Sequence, residues 1–148
     1  MRADKLYQEY LMPLCSPTLL LGQKPLETLA DLSQHTLLHN TSRKGWKQFV
    51  KENHLTEVNV NQGPIFSHTT MVLQAAAHGQ GIALGNNVLA QPELDAGRLI
   101  APFDEILLTP NAFYVVCHDK QADMGRIATF RDWMIAKAKS EQEEILNG

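Results

Sequence analysis

Two cysteines in 148 residues are too few for a disulfide framework. Cys15 and Cys117 each close an apolar run, Leu-Met-Pro-Leu-Cys and Tyr-Val-Val-Cys. That setting suits buried free thiols in a reducing compartment. No apolar stretch approaches the length of a membrane span. The N-terminal Met-Arg-Ala-Asp-Lys leads into no apolar signal-peptide core, so a cytoplasmic location is expected.

Concentrated positive charge is missing as well. Thirteen Lys and Arg face sixteen Asp and Glu, for a net charge of −3, and the basic residues are scattered. Nucleic-acid affinity comes mostly from a dense basic face, so this stretch is not expected to bind DNA by itself. The local cluster from Arg43 to Lys51 is followed by Glu52 and Glu57 and reads as a solvated helix. Internal repeats and low-complexity tracts are absent too. What is present is 44% hydrophobic residues, enough for an ordinary core. The length suits one domain, or one lobe plus part of another.

Catalytic and metal signatures are weak. Six histidines invite a metal hypothesis, but no Cys-x-x-Cys or His-Glu-x-x-His spacing supports one. Cys117 and His118 are neighbours on an expected strand, so they point to opposite faces. No nucleophile–base pair supports a hydrolase built on His68 or His118, and no Gly-x-Ser-x-Gly elbow is present. Gly79-Gln80-Gly81 follows a helix and precedes a strand, the reverse of a phosphate loop, and reads as a helix C-cap and turn. Neither an enzyme, a metal site nor a cofactor is expected.

Short apolar runs alternate with helical patterns, the mark of an α/β domain with a mostly parallel sheet. Strands are expected at Leu11–Cys15, Thr36–His39, Val58 to about Ile65, Gly81–Leu84, Leu99–Ala101 and Ala112–Cys117. Helices are expected at Pro25–Leu32, Gly45–Asn53, from Ser67 to Gly79, at Asn87–Ala90, and over about Ala122–Glu144. In such sheets ligands sit beyond the carboxyl ends of strands, near helix N-termini.

Two segments fit that place. In one, Ser67 is read as an N-cap, leaving the amides of His68, Thr69 and Thr70 as donors for an anion. Ser67 can equally be no more than a cap. In the other, Asn40, Thr41, Ser42 and Arg43 form a run of polar donors directly after a strand. There Arg43 can clamp a carboxylate in bidentate fashion or simply be solvated, and Thr41 or Ser42 can N-cap the helix carrying Trp46.

The run from Phe66 to Asn87, with its Gly-Gln-Gly-Ile-Ala-Leu turn, resembles the second lobe of the effector domains of LysR-type transcription regulators. Glu93 to Phe103, Asn111 to His118 and Leu11 to Leu20 resemble further segments of that family in the same order. His39, Thr41 to Arg43, Trp46 and Gln62 to His68 resemble the members that govern glycine cleavage and one-carbon genes.

The resemblance implies a type 2 periplasmic-binding-protein-like fold. Residues 1–16 would end lobe one and cross over, 17–114 would form lobe two, and 115–148 would carry the return crossover and the C-terminal helix of lobe one. It also implies that the family's winged helix-turn-helix is not in this sequence, so DNA would be reached only through that absent domain. The implied ligand is a small carboxylate or amino acid, glycine among them, or a regulatory protein acts instead. Implied contacts are Asn40, Thr41, Ser42, Arg43, Ser67, His68 and Thr69, with Phe113 or Tyr114 from the return strand. The apolar face of Ile127, Phe130, Trp133 and Met134 suggests a homo-oligomer or a loosely docked helix. The alternative is a free-standing solute-binding protein of the same lobe architecture.

Overall fold

The computed structural model describes residues 2–117 and 132–139, with side chains for 8–109 and 132–139. Among the described residues, five strands form one sheet: β1 (Arg2–Leu14), β2 (Leu37–Asn40), β3 (Ile65–Phe66), β4 (Ile82–Asn86) and β5 (Leu107–Cys117). Their order is β3-β2-β4-β1-β5. Between β2 and β5 lie the α-helices α1 (Lys44–Glu52), α2 (Thr69–Ala77) and α3 (Gln91–Asp95). The chain divides into two compact units, Tyr10–Leu108, and the residues up to Glu9 with those from Thr109 onward.

Within Tyr10–Leu108, β2 runs parallel to both β3 and β4, while β1 runs antiparallel to β4. The sheet is therefore mixed. Helices cover both faces, so β2 and β4 are apolar on both sides. Leu38, Ala83, Val72, Leu73 and Ala76 share one core with Tyr10 and Leu14. Leu37, Ile82 and Leu84 share the other with Trp46, Phe49, Leu26 and Leu32.

Cys15 is buried, unpaired and bridged by backbone bonds to Ile100, and burial pushes its thiol up to about 11. Helix α2 ends as its sequence requires. The Gly79 amide donates to Ala76 O and the Gln80 amide to Ala75 O, with Gly79 at φ 79°. That closure needs a left-handed residue, which glycine supplies without strain.

Several expected elements differ. The helix expected at Pro25–Leu32 is a 3₁₀ turn over Leu29–Gln34. The Asp31 carboxylate accepts the amides of Glu27 and Thr28, so it fixes the start four residues further on. Those same bonds hold Asp31 below the usual carboxylate range. Val58 and Val60 alternate inward as anticipated but form no strand. The carbonyls of Val60, Gln62 and Gly63 go instead to Arg43. Leu99–Ala101 shrinks to the single bridge at Ile100, and the helical turn expected at Asn87–Ala90 leads into α3.

In the other unit, residues 132–139 are helical. There Trp133 is exposed with the Lys137 ammonium 5.1 Å from its ring centroid, and Ala138 is buried. Ile127, Phe130 and the rest of the expected long helix lie outside the described residues.

Candidate functional site

β2 and β3 pair in parallel with His39 opposite Ile65 and Asn40 opposite Phe66. Both strands therefore deliver their carboxyl ends to one edge, the position where open α/β sheets place ligands. The segments that leave them, 40–43 and 67–69, lie far apart in sequence and are stitched together. Asn40 Nδ2 donates to Thr69 Oγ1 at 2.8 Å. The Thr41 amide donates to Phe66 O at 2.7 Å.

The turn after β2 is strained. Thr41 has φ 61°, and the Ser42 amide donates back to Asn40 O at 2.7 Å. A β-branched residue in left-handed backbone is a genuine outlier, and such outliers concentrate where a surface is preset for function. Thr41 is exposed and Ser42 half-buried. Among the polar atoms, Asn40 Oδ1 is buried without a hydrogen-bond partner.

Two expectations are corrected here. Ser67 is not the N-cap of α2. His68 is, with φ −137° and ψ 141°, and Thr69 opens the helix. Ser67 Oγ instead lies 2.9 Å from His68 Nδ1, and both residues are exposed. The donors at the helix start shift accordingly to the amides of Thr69 and Thr70, because the Met71 amide already donates to His68 O. At α1 the N-cap position is Arg43, not Thr41 or Ser42, although Ser42 Oγ does accept the Lys44 amide at 3.3 Å.

Arg43 was expected to be solvated or to face a carboxylate. Its guanidinium turns to the neighbouring loop: Nη1 donates to Gln62 O at 2.8 Å and Nη2 to Gly63 O at 3.0 Å. Phe113 and Tyr114 fall on β5, in the other unit, and their side chains are outside the described set.

Sequence reasoning missed His39 as a site-forming group. Its ring is 1% exposed, with Nε2 donating to Gln62 O at 2.8 Å and Nδ1 buried without a partner. Burial pushes the imidazole below its ordinary 6.5; the Gln62 bond opposes this and the nearby Arg43 charge adds to it. The folded state thus disfavours the proton that the unfolded chain accepts. The His39 contribution is intact above about pH 6.5 and is lost as pH falls below that value toward the lower folded pKa. Urea midpoints between about pH 7.5 and 5.5 should therefore fall more steeply for the native sequence than for His39→Gln, which keeps a donor but does not titrate. Parallel slopes would refute this.

Two recesses in the same unit are not lined by residues 39–43 or 67–69. One of about 410 Å³ is lined by Leu19, Lys24, His35 and Gln80 among others. One of about 150 Å³ lies between Leu32 and the loop at Asn59–Gly63. No group of three or more potential metal ligands gathers among the described residues. No described helix is long and apolar enough to cross a membrane.

The mixed sheet with helices on both faces, and polar turns at adjacent carboxyl ends, is an α/β lobe of the kind that places ligands beyond its strand ends. Residues 1–139 match the model of the LysR substrate binding domain, and the chain belongs to that family. The glycine cleavage system transcriptional activator of Escherichia coli K12 is 59% identical over 145 residues, 98% of this chain and 48% of that protein. The Haemophilus influenzae homolog of that activator is 42% identical, over 97% of this chain and 48% of its own length. The chain thus spans about half the length of the curated relatives it matches.

Among solved structures, the effector domain of the regulator AmpR of Pseudomonas aeruginosa superposes with a TM-score of 0.73 at 24% identity. That match covers 99% of this chain and 70% of AmpR's. Full-length AphB of Vibrio cholerae gives 0.58 at 20% identity, over 93% and 48%. These likenesses establish the fold. The relatives are transcription regulators and not enzymes, which favours a regulator's effector domain over a free-standing solute-binding protein.

Proposed function

We propose that this domain senses a small carboxylate or amino acid, such as glycine, for a cytoplasmic, homo-oligomeric activator of glycine cleavage and one-carbon genes. DNA would be engaged by a separate winged helix-turn-helix domain of the same regulator. Effector binding would bias one subunit arrangement over another, and a regulatory protein docking on the same lobe would act through the same equilibrium. The proposed lobe organisation keeps 17–114 as lobe two, with crossover strands on either side.

One observation carries the reading: the Asn40–Thr69 bond at 2.8 Å, which unites the two polar segments into a single surface. On that surface the amides at the start of α2 and the hydroxyls of Thr41, Ser42, Ser67 and Thr69 offer donors to a carboxylate. His68 borders it.

An NMR titration with glycine and acetate tests the assignment. Localised shifts at Asn40–Ser42 and Ser67–Thr69 are expected, and shifts clustering elsewhere would refute it. In the full-length regulator, Ser67→Ala should weaken the effector response about ten- to a hundredfold, the range of one lost hydrogen bond to a charged group. An unchanged dose–response curve would remove Ser67 from the site.

A further inference from the structure

We infer that His39 and Arg43 are positioning residues, which clamp one backbone carbonyl between them and so set the geometry of the Asn40–Ser42 turn. The inference rests on the binding surface proposed above. His39 is the residue just before that turn and Arg43 the residue just after it. Both donate to Gln62 O, each at 2.8 Å. A single acceptor thus ties together the two ends of a five-residue segment whose middle residue, Thr41, is left-handed. Strained backbone persists only where its surroundings hold it. The paired bonds on Gln62 supply such a hold.

The acceptor is itself fixed. The His39 amide donates to Pro64 O at 3.0 Å, and Arg43 Nη2 takes Gly63 O at 3.0 Å. Gly63 lies so close against β2 that a Cβ there would stand 2.0 Å from Leu37 O. The loop at 59–64 therefore cannot slide along β2, and the turn is referenced to the sheet through it. Arg43 suits this role because its planar fork serves two adjacent carbonyls at once, which a lysine ammonium on a flexible stem does not reproduce. Any ligand that reshapes the turn must also move the Gln62–Gly63 backbone, which makes this loop the route by which occupancy leaves the site.

The test compares native protein with Arg43→Gln, Arg43→Lys and His39→Gln, first without ligand. A left-handed Thr41 gives a strong intraresidue amide–Hα NOE. Arg43→Gln should abolish it, with shift changes confined to 39–43 and 59–64, while Arg43→Lys restores it in part. His39→Gln retains one donor and should retain the NOE unless combined with Arg43→Gln. An unchanged Thr41 NOE in the double variant overturns the clamp, as does a uniform change across the whole Tyr10–Leu108 unit at equal loss in both arginine variants. If Arg43→Gln fails to fold, the Arg43→Lys and His39→Gln pair decides: Thr41 unaltered in both overturns the inference.

Titration with glycine then separates the two readings. Shifts at the turn in native protein, weakened about tenfold by Arg43→Gln, support both. Full affinity despite an altered turn overturns the positioning role alone. Shifts elsewhere in native protein overturn the site alone and leave the clamp to the NOE.

Discussion

Gly63→Ala is expected to destabilise the domain by about 3 kcal/mol or more. Gly63 has φ 93°, which an alanine rarely adopts. The larger problem is contact: the new Cβ would lie 2.0 Å from Leu37 O and 3.1 Å from Leu37 C. Neither atom can retreat, because β2 is held between β3 and β4. The loop would have to lift from the sheet, and with it would go the bonds from His39 and Arg43 to Gln62 and from Arg43 to Gly63. Gly97→Ala is the matched control. It also has positive φ, 74°, but nothing lies within 4 Å of its Cβ. It should cost about 1 kcal/mol through backbone strain alone. Urea unfolding of both variants measures the difference, and equal losses would mean that the close approach to Leu37 does not limit stability.

Trp46→Ala is expected to cost about 3–5 kcal/mol, the range for deleting a large core aromatic. Trp46 is 2% exposed and meets Phe49 edge to face, with centroids 5.5 Å apart and planes at 84°. Its Nε1 also donates to Leu38 O at 3.0 Å. Packing and hydrogen bonding are therefore lost together. Trp46→Phe separates them, since it keeps a ring and removes the donor, and should cost about 1–3 kcal/mol for the orphaned carbonyl and the smaller ring. If the two variants unfold at the same urea concentration, the hydrogen bond and not the ring volume carries the effect. The consequence reaches the site, because α1 begins at the turn that leaves β2 and Leu38 stands two residues before Asn40. A loosened Trp46 should raise hydrogen exchange along β2 before the rest of the sheet.

Local chemistry explains why some elements were legible. The stripe of Met71, Val72, Ala75 and Ala76 ending at Gly79 announces α2, because its apolar period and its C-terminal glycine agree, although Met71 turns out exposed and Leu73 is buried. Trp46 and Phe49 announce α1 in the same way. Val58 and Val60 show the limit of such patterns. Alternation reports which side chains turn inward, and both do pack on the core. It does not report where the backbone carbonyls go, and Arg43 takes three of them in this loop. Ser67 failed as a cap for a related reason. A serine before a helix is a statistical cap, but His68 in extended backbone takes the position and leaves Ser67 one residue outside.

By itself the sequence determined the α/β class, the apolar faces of α1, α2, β2 and β4, and the family, through motifs that keep their order along the chain. It also marked 40–43 and 67–69 as polar segments at strand ends. Tertiary structure decided that these segments meet, through Asn40 and Thr69, and that Arg43 turns toward Gln62 and Gly63. It decided as well that a buried His39 shares that carbonyl. The physical reason is that apolar periodicity depends on neighbours a few residues away. A side chain's hydrogen-bond partners are instead set by which distant backbone the sheet register brings within 3 Å, here through the parallel pairing of β2 with β3.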